Sequence, residues 1–442
     1  MTALLPVALA DAALSGADTA WMLTATSLVL LMTPGLAFFY GGLVRSKNAL
    51  NTMMMSFGAL GAVGLAWALA GYSLAFAPGS AFWGGLDHLG LRGVGSEAKG
   101  SIPHLLFMAY QGSFAIITAA LISGALVERM RFGPYLAFIT AWSLLVYAPV
   151  CHWVWGGGFL ARLGALDFAG GTVVHVNAGA AALAGALVLG PRRDYGRQAL
   201  LPHNVPFVLL GAALLWFGWF GFNAGSALAA NASASLAFVN TLLAPAATLV
   251  VWMLLDHLRA RQVTAVGAAT GIVVGLVAVT PAAGFVSPLA AIGIGAVATF
   301  PSYFGILFRS RTRLDDSLDV VAAHGLGGLT GALLTGVFAS AALGGTPGLL
   351  EGHPGQLAKQ ALAVLVTLVA SGVGSWALLG LIGLLTPLRA ASRLQGRGLD
   401  VELHGEEAYG SGEGALLLLP ETRTPAAQQA PVLLPVDGGV RS

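Results

Sequence analysis

The chain has few charged residues for its length. Only 9% of its 442 residues are charged, with 21 Lys and Arg against 19 Asp and Glu, whereas soluble domains carry roughly 25%. So few charges cannot cover the surface of a soluble protein of this size, which excludes an ordinary soluble enzyme and a disordered chain. The net charge of +2 also excludes the basic surface that binding to nucleic acid requires.

Cysteine is nearly absent as well, since Cys151 is the only one. A single thiol excludes an intrachain disulfide framework and a cysteine-based zinc site, and we predict no metal and no cofactor. What the chain has instead is apolar residues, which make up 57% of it, and 61 glycines. This composition indicates a membrane protein with many spans.

Apolar stretches long enough to cross a bilayer recur along the chain. A membrane helix needs about 20 apolar residues, and small residues within such helices let their backbones approach closely. The sequence therefore predicts an all-α, polytopic bundle of eleven transmembrane helices. The predicted spans are residues 19–43, 50–77, 103–126, 133–150, 171–190, 203–227, 235–256, 264–281, 289–308, 320–342 and 360–388.

Basic residues are distributed unevenly between the two sides of this bundle. With the N-terminus outside, the outer loops hold only Arg92, Lys99, Arg162 and Lys359. The inner loops and the start of the tail hold Arg45, Lys47, Arg129, Arg131, Arg192, Arg193, Arg197, Arg259, Arg261, Arg309, Arg311, Arg313, Arg389, Arg393 and Arg397. Lys and Arg concentrate on the cytoplasmic side of membrane proteins. We therefore predict an outer N-terminus and a cytoplasmic C-terminus, which requires an odd number of spans.

Three parts follow from this topology: an N-terminal segment 1–18, a transmembrane domain 19–388 and a cytoplasmic tail 389–442. The first segment has two interpretations. It is apolar and contains Ala8-Leu9-Ala10, as before a signal cleavage site, but no basic residue precedes it as a signal peptide requires. The end of the tail has four prolines after Leu419 and is expected to be flexible.

Two histidines lie inside predicted spans, where ionisable side chains are rare and usually face the bundle interior. His175 follows Asp167 by eight residues in the fifth span, and His324 follows Asp316 by eight in the tenth. The two spans enter from opposite faces, and eight helical residues rise about 12 Å, so both imidazoles are predicted near mid-membrane. Five spans separate them, so the second copy is inverted, as in a five-plus-five inverted repeat with a site at its centre.

A pair of buried imidazoles has a limited chemistry. Burial disfavours the charged form, and one N–H···N bond between two neutral rings leaves one donor and one acceptor free. Such a pair suits a small neutral molecule or a proton relay, and not a hydrated metal cation, which needs oxygen ligands. The alternative is that each histidine is only a packing residue of the bundle interior. The occurrence of two histidines at matched depth argues against this alternative.

Aromatic residues near the outer ends of three spans predict a second part of the site. They include Phe114, Trp155 and Phe222, and Ser226 follows the last of these. Aromatic faces attract small cations, so a vestibule of this kind would concentrate a cation such as ammonium, although an aromatic belt that anchors any membrane protein is the alternative. Asp167 is either a helix cap or a charge that acts on the vestibule, and both roles are open.

Five strings, spread over residues 20–410, resemble the ammonium transporter (Amt/Mep/Rh) family on its bacterial Amt side. They are Met32-Thr-Pro-Gly-Leu-Ala-Phe-Phe-Tyr-Gly-Gly-Leu-Val-Arg-Ser-Lys-Asn48, Asp167-Phe-Ala-Gly-Gly-Thr-Val-Val-His175, Gly218-Trp-Phe-Gly-Phe-Asn-Ala-Gly-Ser226, the segment from Asp319 through His324-Gly-Leu-Gly-Gly, and Gly398-Leu-Asp-Val-Glu-Leu-His-Gly-Glu406. The string lengths make a chance resemblance negligible. One departure is Tyr110, which stands where many members carry phenylalanine.

The resemblance implies a transporter of the cell inner membrane, not an enzyme, that forms homotrimers with one pore per subunit. It implies an external ammonium site at Trp155, Phe114 and Ser226, and a gate formed by Phe114 and Phe222. His175 and His324 would be the twin pore histidines. Asp167 would support recruitment or deprotonation of ammonium. The tail would couple subunits, on a face that a PII-type protein blocks in many members.

The leading hypothesis is therefore a conduit in which ammonium binds outside, loses a proton, and passes the histidines as ammonia, with or without a separately moved proton. One rival is an ammonium sensor with little transport; the 32 residues after Gly410 are too few for a signalling domain. Another rival is a membrane redox enzyme with His175 and His324 as haem ligands, for which a pore packed with small residues leaves little room.

Overall fold

The computed structural model of the chain describes residues 14–410. A helix lies in each of the eleven predicted stretches. These helices are α1 (Gly16–Leu43), α2 (Ser46–Phe76), α3 (His104–Ala125), α4 (Phe132–Leu163), α5 (Gly171–Leu189), α6 (Val205–Gly225), α7 (Ala232–Ala260), α8 (Ala265–Val279), α9 (Pro288–Arg309), α10 (Val321–Phe338) and α11 (Pro354–Leu385). Residues 8–10, for which the sequence left signal cleavage open, and the proline-rich end of the tail lie outside the described residues.

Ten of these helices are long and apolar enough to cross a membrane, which confirms the all-α membrane class. The exception is α8, whose 15 residues fall short of the roughly 20 that a full crossing needs. The chain continues from α8 through a buried, non-helical segment at residues 280–286. The count of eleven spans therefore stays a prediction.

Helix starts follow from local sequence. Five helices begin after a residue whose side-chain oxygen accepts a hydrogen bond from a backbone N–H of the first turn, which would otherwise lack a partner. These residues are Ser15, Asn204, Asn231, Thr264 and Ser287. Between α2 and α3 the chain forms a small antiparallel hairpin, β1 (Ala98–Lys99) and β2 (Ile102–Pro103).

Helices five apart in the chain pack against each other, α1 along α6 and α5 across α10. In the second pair, His175 and His324 are 149 residues apart, and the same offset relates Gly179 to Gly328. A Cβ on Gly179 would lie 2.4 Å from the Gly325 Cα, and a Cβ on Gly328 would lie 2.8 Å from the His175 Cβ. Each half thus inserts an equivalent glycine against the histidine turn of the other, as a two-fold axis between two inverted halves requires.

Buried ion pairs join the loops at the end of the bundle where the C-terminal tail lies. Glu128 accepts hydrogen bonds from Arg45 at 3.0 Å and Arg192 at 3.1 Å, and Asp315 accepts from Arg192 at 2.9 Å. Burial alone would raise the pKa of Glu128 and of Asp315, but the arginines around them hold both pKa values below their ordinary range. These carboxylates therefore connect the loops before α2, α4, α6 and α10.

The described part of the tail forms two short helices, α12 (Ser392–Arg397) and α13 (Leu399–His404), that lie under the start of α2. The Asp400 carboxylate accepts from the backbone N–H groups of Leu50 at 3.0 Å and Asn51 at 2.7 Å. The Asn48 side chain in turn accepts from the Leu399 N–H at 2.8 Å. The tail thus provides the N-terminal cap of a membrane helix.

We expect Gly179→Ala to destabilise the protein by about 1–3 kcal/mol, because overpacking a tight contact costs that much. The matched control is Gly380→Ala in α11, where a Cβ would meet nothing within 4 Å and alanine favours the helix. The measurement is the thermal midpoint of the purified protein in detergent. Equal midpoints for the two variants would contradict the contact between α5 and α10.

Glu128→Gln is expected to cost about 3–5 kcal/mol, because it leaves buried arginine charge without its carboxylate partner. The stability of the wild type should fall as the pH drops below the ordinary carboxyl pKa. In that range the carboxyl groups of the unfolded chain bind protons, whereas Glu128 and Asp315 in the folded protein stay ionised because their pKa values are lowered. Glu402→Gln, whose arginine partner Arg397 is exposed, should cost at most about 1 kcal/mol. Acid-dependent unfolding midpoints of the three proteins test this.

Candidate functional site

His175 and His324 meet where α5 crosses α10. Their Nδ1 atoms are 3.2 Å apart, and the side chains are buried, at 1% and 3% exposure. If both rings are neutral, one Nδ1–H donates to the other Nδ1, which leaves one Nε2–H donor and one Nε2 acceptor for a third group. The His175 Nε2 has no hydrogen-bond partner among residues 14–410, so this end of the pair is available to a small solute.

Both histidines lie in a π-helical first turn, Gly171–Val176 in α5 and Val321–Leu326 in α10. π-Helical turns are rare in proteins, and those that occur are often found at functional sites. Each helix therefore begins about one turn before its histidine, and the eight residues from each aspartate are not all helical. The rise of about 12 Å expected from the sequence is wrong for this reason, although the two histidines occupy equivalent positions.

Asp167 caps α5. Its carboxylate accepts from the backbone N–H groups of Gly170, Gly171 and Thr172 at 2.6–2.8 Å and also from the Thr172 hydroxyl. At the equivalent position before α10, Asp316 accepts from the Val321 N–H at 2.7 Å. The residue three after each aspartate has a positive φ, 121° at Gly170 and 59° at Asp319, so the same capped turn is built twice.

The aromatic side chains predicted at the outer end come together above the histidines. The rings of Phe114 and Phe222 are stacked with centroids 4.1 Å apart, and the Phe222 ring is 6.0 Å from that of His175. The Trp155 ring stands edge-on to Phe114 at 5.9 Å. Its indole N–H donates to the backbone carbonyl of Asp167 at 2.8 Å, so the capped turn also positions this indole.

Ser226 lies at the end of α6, where Tyr110 also reaches. The Ser226 hydroxyl donates to the Phe222 carbonyl at 2.8 Å, and the Tyr110 hydroxyl lies 2.9 Å from the same carbonyl and 3.3 Å from the Ser226 Oγ. Tyr110 thus adds a hydrogen-bonding group directly beside Ser226.

Three cavities lie along this line of residues. The outer cavity, of about 290 Å³, contacts Trp155, Phe114 and Ser226. The pore cavity, of about 10 Å³, lies between Phe222 and the two histidines. The inner cavity, of about 490 Å³, contacts His324 and the ion pair between Arg309 and Asp319. Two wide compartments are therefore separated by a constriction at the imidazoles.

Several lining residues were not singled out from the sequence. Phe76, Phe107 and Gln111 contact the outer cavity. Phe107 and Gln111 precede Phe114 by seven and three residues on α3, a helical spacing that could have indicated a shared face. The apolar walls of the pore cavity come from five helices, and no sequence signal unites them; they include Met32, Leu36, Ile117, Leu215, Trp219 and Val273.

Asp167 does not contact the outer cavity, and its carboxylate is engaged by the turn that it caps. The sequence left two roles open for Asp167, a helix cap and a charge that acts on the vestibule. The hydrogen bonds of its carboxylate are those of a helix cap. In the part of the chain that the structure describes, no group of three or more His, Cys, Asp and Glu side chains is arranged to hold a metal ion.

Comparison with known proteins agrees with this architecture. Residues 20–409 match the model of the Ammonium Transporter Family. The chain is 47% identical to an ammonium transporter of Bacillus subtilis, over 89% of this chain and 98% of that one, and 49% identical to one of Aquifex aeolicus, over 90% and 95%. It also superposes on Mep2 of Saccharomyces cerevisiae with a TM-score of 0.81 and 36% identity, over 86% and 88% of the two chains.

A protein described as a sensor Amt protein is similar too, with a TM-score of 0.82 and 30% identity, over 87% of this chain and 98% of that one. The family match, the sequence relatives and the structural neighbours thus all indicate the same family. The chain belongs to the ammonium transporter family.

Proposed function

We propose that this chain transports ammonium by binding it at the outer aromatic site, removing a proton, and conducting ammonia past His175 and His324. Family membership supports ammonium as the substrate. The observation that carries the mechanism is the 3.2 Å contact between the imidazoles beside a pore cavity of about 10 Å³.

The outer cavity supplies the chemistry for a small cation. The faces and edges of Phe114 and Trp155 offer a cation–π environment, which is stronger where water is partly excluded. Because the Ser226 hydroxyl donates its proton to a backbone carbonyl, its lone pairs are directed elsewhere and can accept from an N–H. Ammonium, with four N–H groups and one charge, satisfies both features.

The pore cavity does not suit an intact ion. A space of about 10 Å³ accommodates at most one water-sized molecule, so an ion would enter without its hydration shell. Moving a bare charge into an apolar environment is very costly, and the walls are apolar apart from the imidazoles. Neutral ammonia has N–H donors and one lone pair, which match the free acceptor and donor of the imidazole pair.

The path of the released proton divides this proposal into an electrogenic and a neutral form. Proteoliposomes that contain the purified protein would distinguish them. A current after an ammonium jump indicates that the proton crosses separately, whereas uptake without current indicates net movement of ammonia alone.

We further propose the cellular setting that the sequence implies. The transmembrane domain, 19–388, would lie in the cell inner membrane with the N-terminus outside and the tail, 389–442, in the cytoplasm. The positive-inside distribution of Lys and Arg supports this orientation. A homotrimer and a PII-type partner at the cytoplasmic face are inherited from the resemblance, and the contact of Asp400 with the start of α2 would let the tail act on the bundle.

A sensor is the second candidate, favoured by the similarity to a sensor Amt protein. Transport and sensing differ in one simple measurement. Expression in cells that lack their own ammonium transporters should restore growth on low ammonium if the chain transports, and should not if it only senses.

His175→Ala is expected to abolish selectivity against potassium, because the enlarged pore cavity would admit water and with it hydrated ions. Uptake of methylammonium and potassium into proteoliposomes provides the measurement. His257→Ala, on the exposed end of α7, is the control and should behave as the wild type. Undiminished selectivity in His175→Ala would defeat the role given to this imidazole.

Trp155→Leu should raise the half-saturating ammonium concentration roughly two- to thirtyfold, since a partly desolvated cation–π contact is worth about 0.5–2 kcal/mol. The comparison variant is Trp83→Leu, which removes an exposed indole from the loop between α2 and α3. Concentration dependence of uptake reports both. If Trp155→Leu saturates like the wild type, ammonium is recruited elsewhere.

A further inference from the structure

A primary ammonium group of the protein already occupies an aromatic environment at the outer end. The Nζ of Lys99, in the hairpin strand β1, lies 4.7 Å from the ring centre of Phe107, 5.7 Å from that of Phe76 and 5.5 Å from that of Tyr72. All three distances are within the range of cation–π attraction. Lys99 is thus held as a bound alkylammonium would be.

Two of these rings are shared with the outer cavity. Phe76 and Phe107 both contact that cavity, and their centroids are 5.1 Å apart in an edge-to-face arrangement. Lys99 therefore engages the same aromatic wall that an arriving cation meets.

A hydrogen-bonded chain keeps this lysine in place. The Lys99 Nζ donates to the Tyr72 hydroxyl at 3.1 Å, the Tyr72 hydroxyl lies 2.5 Å from the His104 Nε2, and the His104 Nδ1 lies 2.8 Å from a Glu97 carboxylate oxygen. With His104 neutral, every group in this chain donates once in the same direction. The backbone N–H of Gly95 and the imidazole of His104 hold the pKa of Glu97 at about 2, so Glu97 remains an acceptor.

The positive charge of Lys99 is not neutralised directly. Among residues 14–410, no carboxylate oxygen lies within 4.0 Å of its Nζ. Burial lowers the pKa of Lys99 from its ordinary value, as expected for a charge held by rings and a hydroxyl and not by an anion. Its field consequently extends toward the outer cavity.

We propose that Lys99 is a tethered competitor that sets the affinity of the outer site, lowering it for ammonium by occupying and charging the shared wall of Phe76 and Phe107. This inference rests on the proposed recruitment of ammonium at the outer cavity. A weaker outer site releases its cation more readily toward the pore. Lys99 thereby determines the concentration range in which the transporter responds, and it does so without contacting the transported molecule.

The test is the ammonium concentration dependence of uptake by Lys99→Met in proteoliposomes. Methionine keeps the apolar stem and removes the charge. We expect the half-saturating concentration to fall roughly two- to tenfold, the effect of removing one like charge from beside the shared aromatic wall at intermediate screening. Lys99→Arg, which keeps the charge and the cation–π contact, should stay within about twofold of the wild type.

Arg92→Met is the matched control, because it removes one positive charge from an exposed side chain of the same loop without an aromatic partner. Its half-saturating concentration should not change. Lys99→Gln provides a second neutral variant if Lys99→Met does not elute as a folded protein in size-exclusion chromatography.

The inference is overturned if the neutral variants saturate at the wild-type concentration or above it. It is also overturned if Lys99→Arg shows the same decrease as Lys99→Met, since the charge would then not be the cause. The Trp155→Leu variant separates this failure from that of the proposed function. If Trp155→Leu raises the half-saturating concentration while the neutral Lys99 variants leave it unchanged, only the inference about Lys99 fails. If Trp155→Leu also leaves it unchanged, the proposed outer ammonium site fails as well.

Discussion

The contact between α5 and α10 is the constraint on which the other features of the site depend. Gly179 and Gly328 let the two backbones approach until each lies against the histidine turn of the other. Only at this separation do the two imidazoles come within 3.2 Å. A larger residue at either glycine would displace one imidazole, and with it the constriction between the outer and inner cavities. The packing of α5 against α10 therefore also sets the distance between the two imidazoles.

Polarity differs among the three cavities, and each cavity is lined by a different kind of group. The outer cavity combines aromatic rings with a serine hydroxyl, the pore cavity is apolar apart from two imidazoles, and the inner cavity contacts an ion pair. Asp167 binds the first turn of α5 with its side chain and the Trp155 indole with its backbone carbonyl, so one residue holds both the outer site and the histidine helix.

Much of the site could be predicted because membrane composition makes polar residues conspicuous. His175 and His324 stand out in apolar spans, and their equal spacing from an aspartate indicated the inverted repeat. The walls of the pore cavity were not predictable in this way, since Met32, Leu215 and Val273 are ordinary apolar residues until folding directs them at one space. Lys99 was interpreted only as a loop charge, because the rings around it come from α2 and α3 and are brought to it by tertiary packing.

By itself the sequence determined the membrane class, the all-α architecture, the pairing of the two histidine-bearing spans and the family. These properties depend on composition and on short-range patterns, which apolar burial and backbone hydrogen bonding in a bilayer enforce locally. Tertiary structure alone decided that apolar residues of five helices surround the pore cavity, and that Lys99 shares an aromatic wall with the outer cavity. Each of these depends on atoms distant in the chain meeting within a few ångströms, which no local pattern specifies.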